Sequence, residues 1–70
     1  MINLGDIVYT FQGESLLELT VIKIIDYLRV SAEDSECVYC LWKKFCYDSP
    51  EEAFVGMQKA MLLLRRGHNF

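Results

Sequence analysis

The sequence has one proline, one histidine and four isolated glycines in 70 residues. Each scarcity excludes something. Gly5, Gly13, Gly56 and Gly67 never cluster, so no glycine loop is available to cradle a phosphate. The single histidine, His68, lies where chain ends fray, a poor place for a general base. No apolar run approaches the ~20 residues that a bilayer-spanning helix needs, and no membrane partner is expected. The start, Met1 to Asp6, has no basic region leading into a long apolar stretch, so no secretory signal is expected. Surplus positive charge is missing too: seven basic against ten acidic side chains leave a net charge of −3. Non-specific affinity for nucleic acid rests on neutralising phosphates, and this composition offers little of it. What the chain does have is apolar material, 53% of its residues, enough to exclude disorder and to build one small domain over residues 1–70.

Cys37, Cys40 and Cys46 make an odd set, unlike the even frameworks of small secreted domains, and read as reduced thiols of a cytoplasmic protein. Their C-x2-C-x5-C spacing, with His68 as a fourth donor, invites zinc. Structural zinc pairs sit in tight turns, however, whereas Val38 and Tyr39 are strand formers. In a strand, residues three apart point to opposite faces. No metal and no cofactor are therefore expected.

Period-two patterning places strands at about 7–11, 16–25, 27–31 and 37–42, with a short extended piece at 45–47. Gln12-Gly13-Glu14-Ser15 is the turn between the first two. The alternation along 16–25 is broken, which fits a long curved strand whose halves face different surroundings. Ala32 to Glu36 reads as an acidic loop, a solvated hairpin tip rather than a calcium site, which would need more oxygens and a central glycine. Lys43-Lys44 reads as an edge guard.

Ser49-Pro50-Glu51-Glu52 is the strongest local signal: an N-cap, a proline at the first helical position and a capping box. It predicts a helix over about 50–66, closed by Gly67. At 100° per residue Ala53, Phe54, Met57, Ala60, Met61 and Leu64 form one stripe, expected to lie on the sheet. Val55 and Leu62 fall opposite, with Leu63 on a third flank beside Gly56. These three make a contact face for self-association or for a partner, and the small pair Gly56 and Ala60 would let another helix come close.

The fold class that follows is α+β: a small, bent antiparallel sheet of four or five strands with one C-terminal helix. No serine has a histidine near it in sequence, and the carboxylate pairs Glu33-Asp34 and Glu51-Glu52 belong to a polar loop and a helix start. No catalytic residue is named and no enzyme is expected. A cationic and aromatic cluster, Trp42-Lys43-Lys44-Phe45 with Arg29 as a neighbour, is the one candidate for stacking on nucleic acid.

Two segments carry a resemblance. Gly5-Asp6-Ile7-Val8-Tyr9 at the first strand, and Ser49-Pro50-Glu51-Glu52-Ala53 at the helix start, make the layout similar to small SH3-like barrel proteins of phages and prophages. The likeness covers nearly the whole chain, through short structural motifs that carry no catalytic residue. It implies an SH3-like partial barrel, a mobile-element origin and a bacterial host cytoplasm. It also implies the work of a small accessory protein that binds a host protein, including inhibitors of defence systems such as anti-CRISPR proteins. On that reading Glu33, Asp34 and Glu36 would occupy a basic surface of the partner, with Val55, Leu62 and Leu63 as apolar contacts. The alternatives are a nucleic-acid-binding protein using Arg29, Trp42, Lys43 and Lys44, and a homo-oligomer joined through the helix.

Overall fold

A computed structural model describes the backbone of residues 2–68 and the side chains of residues 2–62. Four strands, β1 (Ile7–Gln12), β2 (Ser15–Ile24), β3 (Arg29–Glu33) and β4 (Val38–Trp42), form one antiparallel meander in chain order, followed by the helix α1 (Pro50–His68). The α+β class follows directly from this order. The sheet is open, with β1 and β4 at its two edges. No helix is long and apolar enough to cross a membrane among the described residues.

The β1–β2 hairpin closes through Gln12 opposite Ser15, with Gly13 at φ 62° as the first of two loop residues. That conformation suits glycine and gives the primed type of turn whose twist matches the flanking strands. β2 is long because it serves two partners in succession. Its first half pairs with β1 as far as Ile7 opposite Thr20, and its second half pairs with β3 from Thr20 opposite Glu33. A bulge between Val21 and Lys23 shifts the register there, so Ile24 rather than Lys23 shares the face of Val30. This is the physical form of the broken alternation, since one extra residue flips every later side chain.

The inner face holds Val8, Leu19, Val21, Val30 and Ala32, all fully buried, with Ile2, Leu17, Tyr39, Leu41 and Cys46 packed half-buried around them. The third strand starts two residues later than the 27–31 expected, because Asp26 to Leu28 are taken up by a turn. Ala32, read as loop, is a buried strand residue instead; burial overrides its weak strand propensity. The fifth extended piece is also corrected. Lys43–Phe45 is a 3-10 turn, and only Tyr47 pairs, in a single bridge to Tyr9 with both backbone bonds at 2.8 Å.

The helix begins where its cap predicts. Ser49 Oγ accepts from Glu52 N–H at 3.2 Å, and Glu52 Oε2 reaches back one residue past the cap to Asp48 N–H at 3.3 Å. It then runs through Gly67 to His68 rather than closing at Arg66.

Its packing departs from the expected stripe. Ala53 is fully buried and Gly56 and Met57 are half-buried, whereas Phe54, Ala60 and Met61 are exposed. The side chain of Leu64 lies outside the described residues. The cause is length. The helix starts beside the Tyr9–Tyr47 bridge and reaches the Gly13 turn at the level of Ala60. At ~1.5 Å per residue the 19-residue helix is longer than the six-residue β1 beside it at ~3.3 Å per residue. Gly56 is not free for another helix either: the Tyr47 ring fills the space where a β-carbon would stand.

Candidate functional site

Two loops at opposite ends of β3 are built the same way, by an aspartate whose carboxylate organises the backbone that follows it. In the β2–β3 connection Asp26 Oδ1 accepts from the N–H groups of Leu28 and Arg29, both at 2.9 Å. Its Oδ2 takes Arg29 Nε at 3.1 Å and Nη2 at 2.8 Å. In the β3–β4 connection Asp34 Oδ1 accepts from the N–H groups of Glu36 and Cys37, both at 2.8 Å. The Arg29 guanidinium, followed by the Leu28 N–H, holds the Asp26 carboxyl below its usual range. The Cys37 N–H, followed by that of Glu36, does the same for Asp34.

A depressed carboxyl pKa makes protonation favour the unfolded chain. The stabilisation from both loops is therefore complete above the ordinary carboxylate pKa of about 4 and is lost as pH falls from there through the lower folded values. Asp26→Asn should lower the denaturation midpoint at neutral pH, with the difference from wild type shrinking as pH falls through that window. A difference that stays constant with pH would mean that the carboxylate charge is not what holds the loop.

At the acidic end Glu33 and Glu36 are exposed, and Asp34, half-buried, is committed to its own turn. Of the three acidic candidates, two are thus free to meet a partner and one shapes the loop that presents them. Glu18 lies on the same outer sheet face as Glu33, two residues from its neighbour Thr20, and accepts from the Tyr9 hydroxyl at 2.8 Å. That bond, ahead of desolvation, pushes the Tyr9 phenol up. Glu14 sits apart at the β1–β2 turn.

At the other end the structure brings Arg29 and Trp42 together as cross-strand neighbours, with the guanidinium 6.0 Å from the indole centroid. The adjoining 3-10 turn places Lys44 Nζ 5.1 Å from the Phe45 ring. Lys43 is half-buried, and its N–H donates to Leu28 C=O at 2.8 Å. Tyr27, 89% exposed, and Leu28 stand out from the Asp26 turn beside this cluster. Sequence reasoning missed both, having placed them inside a strand. The signal available was the Asp26-x-x-Arg29 spacing.

The helix candidates are exposed as expected for Val55 and Leu62, the latter by 59%. The side chain of Leu63 lies outside the described residues. Open grooves flank the helix. One of about 510 Å³ is lined by Phe45, Tyr47, Val55 and Ala60, and one of about 420 Å³ by Phe11, Leu16, Pro50 and Phe54. Both walls are mainly apolar, and Glu52, Glu51 and Lys59 are their only ionisable linings besides Tyr47 among the described residues. That apolar composition suits a hydrophobic contact.

Cys37 precedes β4 on the side of Tyr39, whereas Cys40 shares the outer face with Val38 and Trp42, so the two thiols diverge. Burial pushes the half-buried Cys46 thiol up, and its Sγ donates to Trp42 C=O at 3.5 Å. Among the described residues no three His, Cys, Asp or Glu side chains converge on one point; His68 lies outside the described side chains. Comparison with protein-family models, with curated proteins and with solved structures finds no match for the chain.

Proposed function

We propose that this chain is a non-enzymatic accessory protein that acts by binding one protein partner, with the second half of α1 as its principal contact. One observation carries the reading. On the second half of α1 Met61 and Leu62 are exposed by 49% and 59%, and Leu62 lies two turns on from the exposed Val55 on the same side of the helix. Apolar side chains spaced along a helix are what a groove on a partner reads. The exposed Glu33 and Glu36 form a second, electrostatic contact that speeds encounter with a basic surface.

The finer form of the proposal is a phage or mobile-element protein, working in the bacterial cytoplasm, that covers a basic nucleic-acid-binding surface of a defence factor as anti-CRISPR proteins do. It rests on the resemblance in sequence, on the net charge of −3 and on the free thiols, which suit a reducing compartment. The nucleic-acid reading draws support from the Arg29–Trp42 stack, but Asp26 already occupies that guanidinium with two bonds.

The test is a nuclease-treated capture from host lysate with matched variants. Wild type should retain one stoichiometric protein, and Leu62→Glu and Val55→Glu should each lose it while keeping the helical signal in circular dichroism. Glu33→Lys/Glu36→Lys, with Asp34 left to hold the loop, should weaken capture and reduce its salt dependence. Capture indifferent to the helix variants would remove the helix from the interface. Trp42 fluorescence quenched by single-stranded oligonucleotide at low salt would favour the nucleic-acid reading instead.

A further inference from the structure

The two edges of the sheet are treated differently. Tyr47 bonds to the outer edge of β1 at Tyr9, and α1 follows alongside it. At the other edge no strand pairs with β4 among the described residues. The direction of its backbone groups follows from two bonds. Asp34 N–H donates to Cys37 C=O at 3.1 Å, and Lys43 N–H donates to Leu28 C=O at 2.8 Å. Bonding pairs alternate along an antiparallel ladder, so Tyr39 and Leu41 face β3 with their N–H and C=O groups. Val38, Cys40 and Trp42 therefore turn theirs to the open edge. Within the strand the usual guards are missing: Val38–Trp42 contains no charge, no proline and no glycine, its pairing with β3 has no bulge, and the Lys43-Lys44 pair read as an edge guard lies in the turn beyond it.

We propose that β4 is a self-association edge, through which two copies of this chain join antiparallel about a two-fold axis at Cys40. The sequence around Cys40 is complementary to its own reverse. In that register Val38, 61% exposed, stands opposite Trp42 of the second copy, 49% exposed, as a β-branched–aromatic pair. Cys40 meets its own counterpart. Val38, Cys40 and Trp42 form the bonding pairs, so every open-edge donor and acceptor of the strand finds a partner.

Charge selects the same arrangement. Glu36 lies two residues before the strand and Lys44 two residues after it in the 3-10 turn, so antiparallel pairing brings the acidic end of each copy towards the lysine end of the other, twice by symmetry. On the outer face Arg29 flanks Trp42 and Glu33 flanks Val38, and the two-fold sets a cation at one end of each cross-strand row and a carboxylate at the other. Parallel pairing would set lysine against lysine and glutamate against glutamate. Four strands from each copy would then make one continuous sheet of eight. This edge does not include the helix contact but shares Glu36 with the proposed electrostatic one, so the two are told apart by their readouts: the mass of the purified chain reports the edge, and capture by Leu62→Glu reports the partner.

Analytical ultracentrifugation across a concentration series tests it. Wild type should move from the mass of one chain to that of two. Cys40→Lys, which puts a like charge opposite itself on an exposed face, should remain monomeric with an unchanged circular dichroism spectrum. Glu36→Lys and Lys44→Glu alone should each weaken dimerisation by several-fold to about thirtyfold, the range for two exposed ion pairs lost together. Glu36→Lys/Lys44→Glu combined should restore it, because the pairing is re-formed with its signs exchanged. Should Cys40→Lys fail to fold, the charge-exchange series still decides, since both side chains lie outside the strand. A wild type that stays monomeric throughout, or a dimer indifferent to all four variants, overturns the proposal, the latter result sending self-association to the helix.

Discussion

Leu19→Ala should lower the melting temperature by roughly 10–30 °C. Leu19 is the largest fully buried side chain among the described residues and lies between Val8 on β1 and Val21 further along its own strand in a core of five residues. Removing a buried leucine to alanine costs about 2–5 kcal/mol, the lost transfer energy plus the cavity left behind. A domain of 70 residues holds about 4–10 kcal/mol in total. One substitution thus removes a large share of the whole, and each kcal/mol moves the midpoint of so small a domain by about 4–8 °C. The matched control is Ile22→Ala at the bulge, where the side chain is exposed and the cost should stay under about 1 kcal/mol. Thermal unfolding followed by circular dichroism compares the two. Equal shifts would mean that the inner face is not the core.

The sensitivity of Leu19 and the proposed contacts have one cause. Among the described residues six hydrophobic side chains are buried, whereas fifteen large ones are exposed, including Ile24, Ile25, Tyr27, Leu28 and Trp42 around one end of the sheet. An open four-stranded sheet has too little interior for the apolar material that the sequence supplies. The remainder lies on surfaces able to meet other molecules. Composition alone supports an ample core. The placement of that material, along β4, at the Asp26 turn and on the far half of α1, is what turns the surplus into candidate interfaces.

Legibility in the sequence tracked how local each cause is. The first hairpin and the helix start could be read because Gly13 and the Ser49-Pro50-Glu51-Glu52 cap act within a few residues. The curvature of β2 showed as a fault in alternation, although the bulge itself needs the partner strand to locate it. Non-local effects were not readable. Ala32 is a strand residue only because Val21 and Tyr39 flank it, and among the described side chains the inward stripe of α1 goes no further than Met57, near where the hairpin beneath it turns at Gly13. In the candidate site, the separation of acidic and cationic ends was visible as Glu33 to Glu36 and Trp42 to Lys44. The commitment of Asp34 and Asp26 to their own turns was not, since a carboxylate reads the same whether it faces solvent or its own backbone.

Gly56→Ala should change sign with its surroundings. In an exposed helix interior, alanine in place of glycine stabilises by about 1 kcal/mol through backbone entropy alone. Here the added methyl would overlap the ring of Tyr47, whose main chain is fixed by both bonds to Tyr9. The clash falls on the hydroxyl end of the ring, which must swing away from the helix and give up its packing there. Overpacking of this kind costs about 1–3 kcal/mol, enough to outweigh the gain in propensity. Gly56→Ala in the wild-type background should therefore destabilise the domain and loosen the first turns of α1 from β1. In a Tyr47→Ala background the obstruction is gone, and the same substitution should stabilise. The coupling between the two positions, about 1–3 kcal/mol from a double-mutant cycle in denaturant, measures how firmly Tyr47 ties the helix to the sheet. A stabilising Gly56→Ala in both backgrounds would mean that the ring moves aside freely, and Ala53 would then be the helix's one fully buried anchor among the described residues. The proposed binding surface depends on that tie, because a helix offered to a partner from a fixed base loses less conformational entropy on binding than one that must first be held in place.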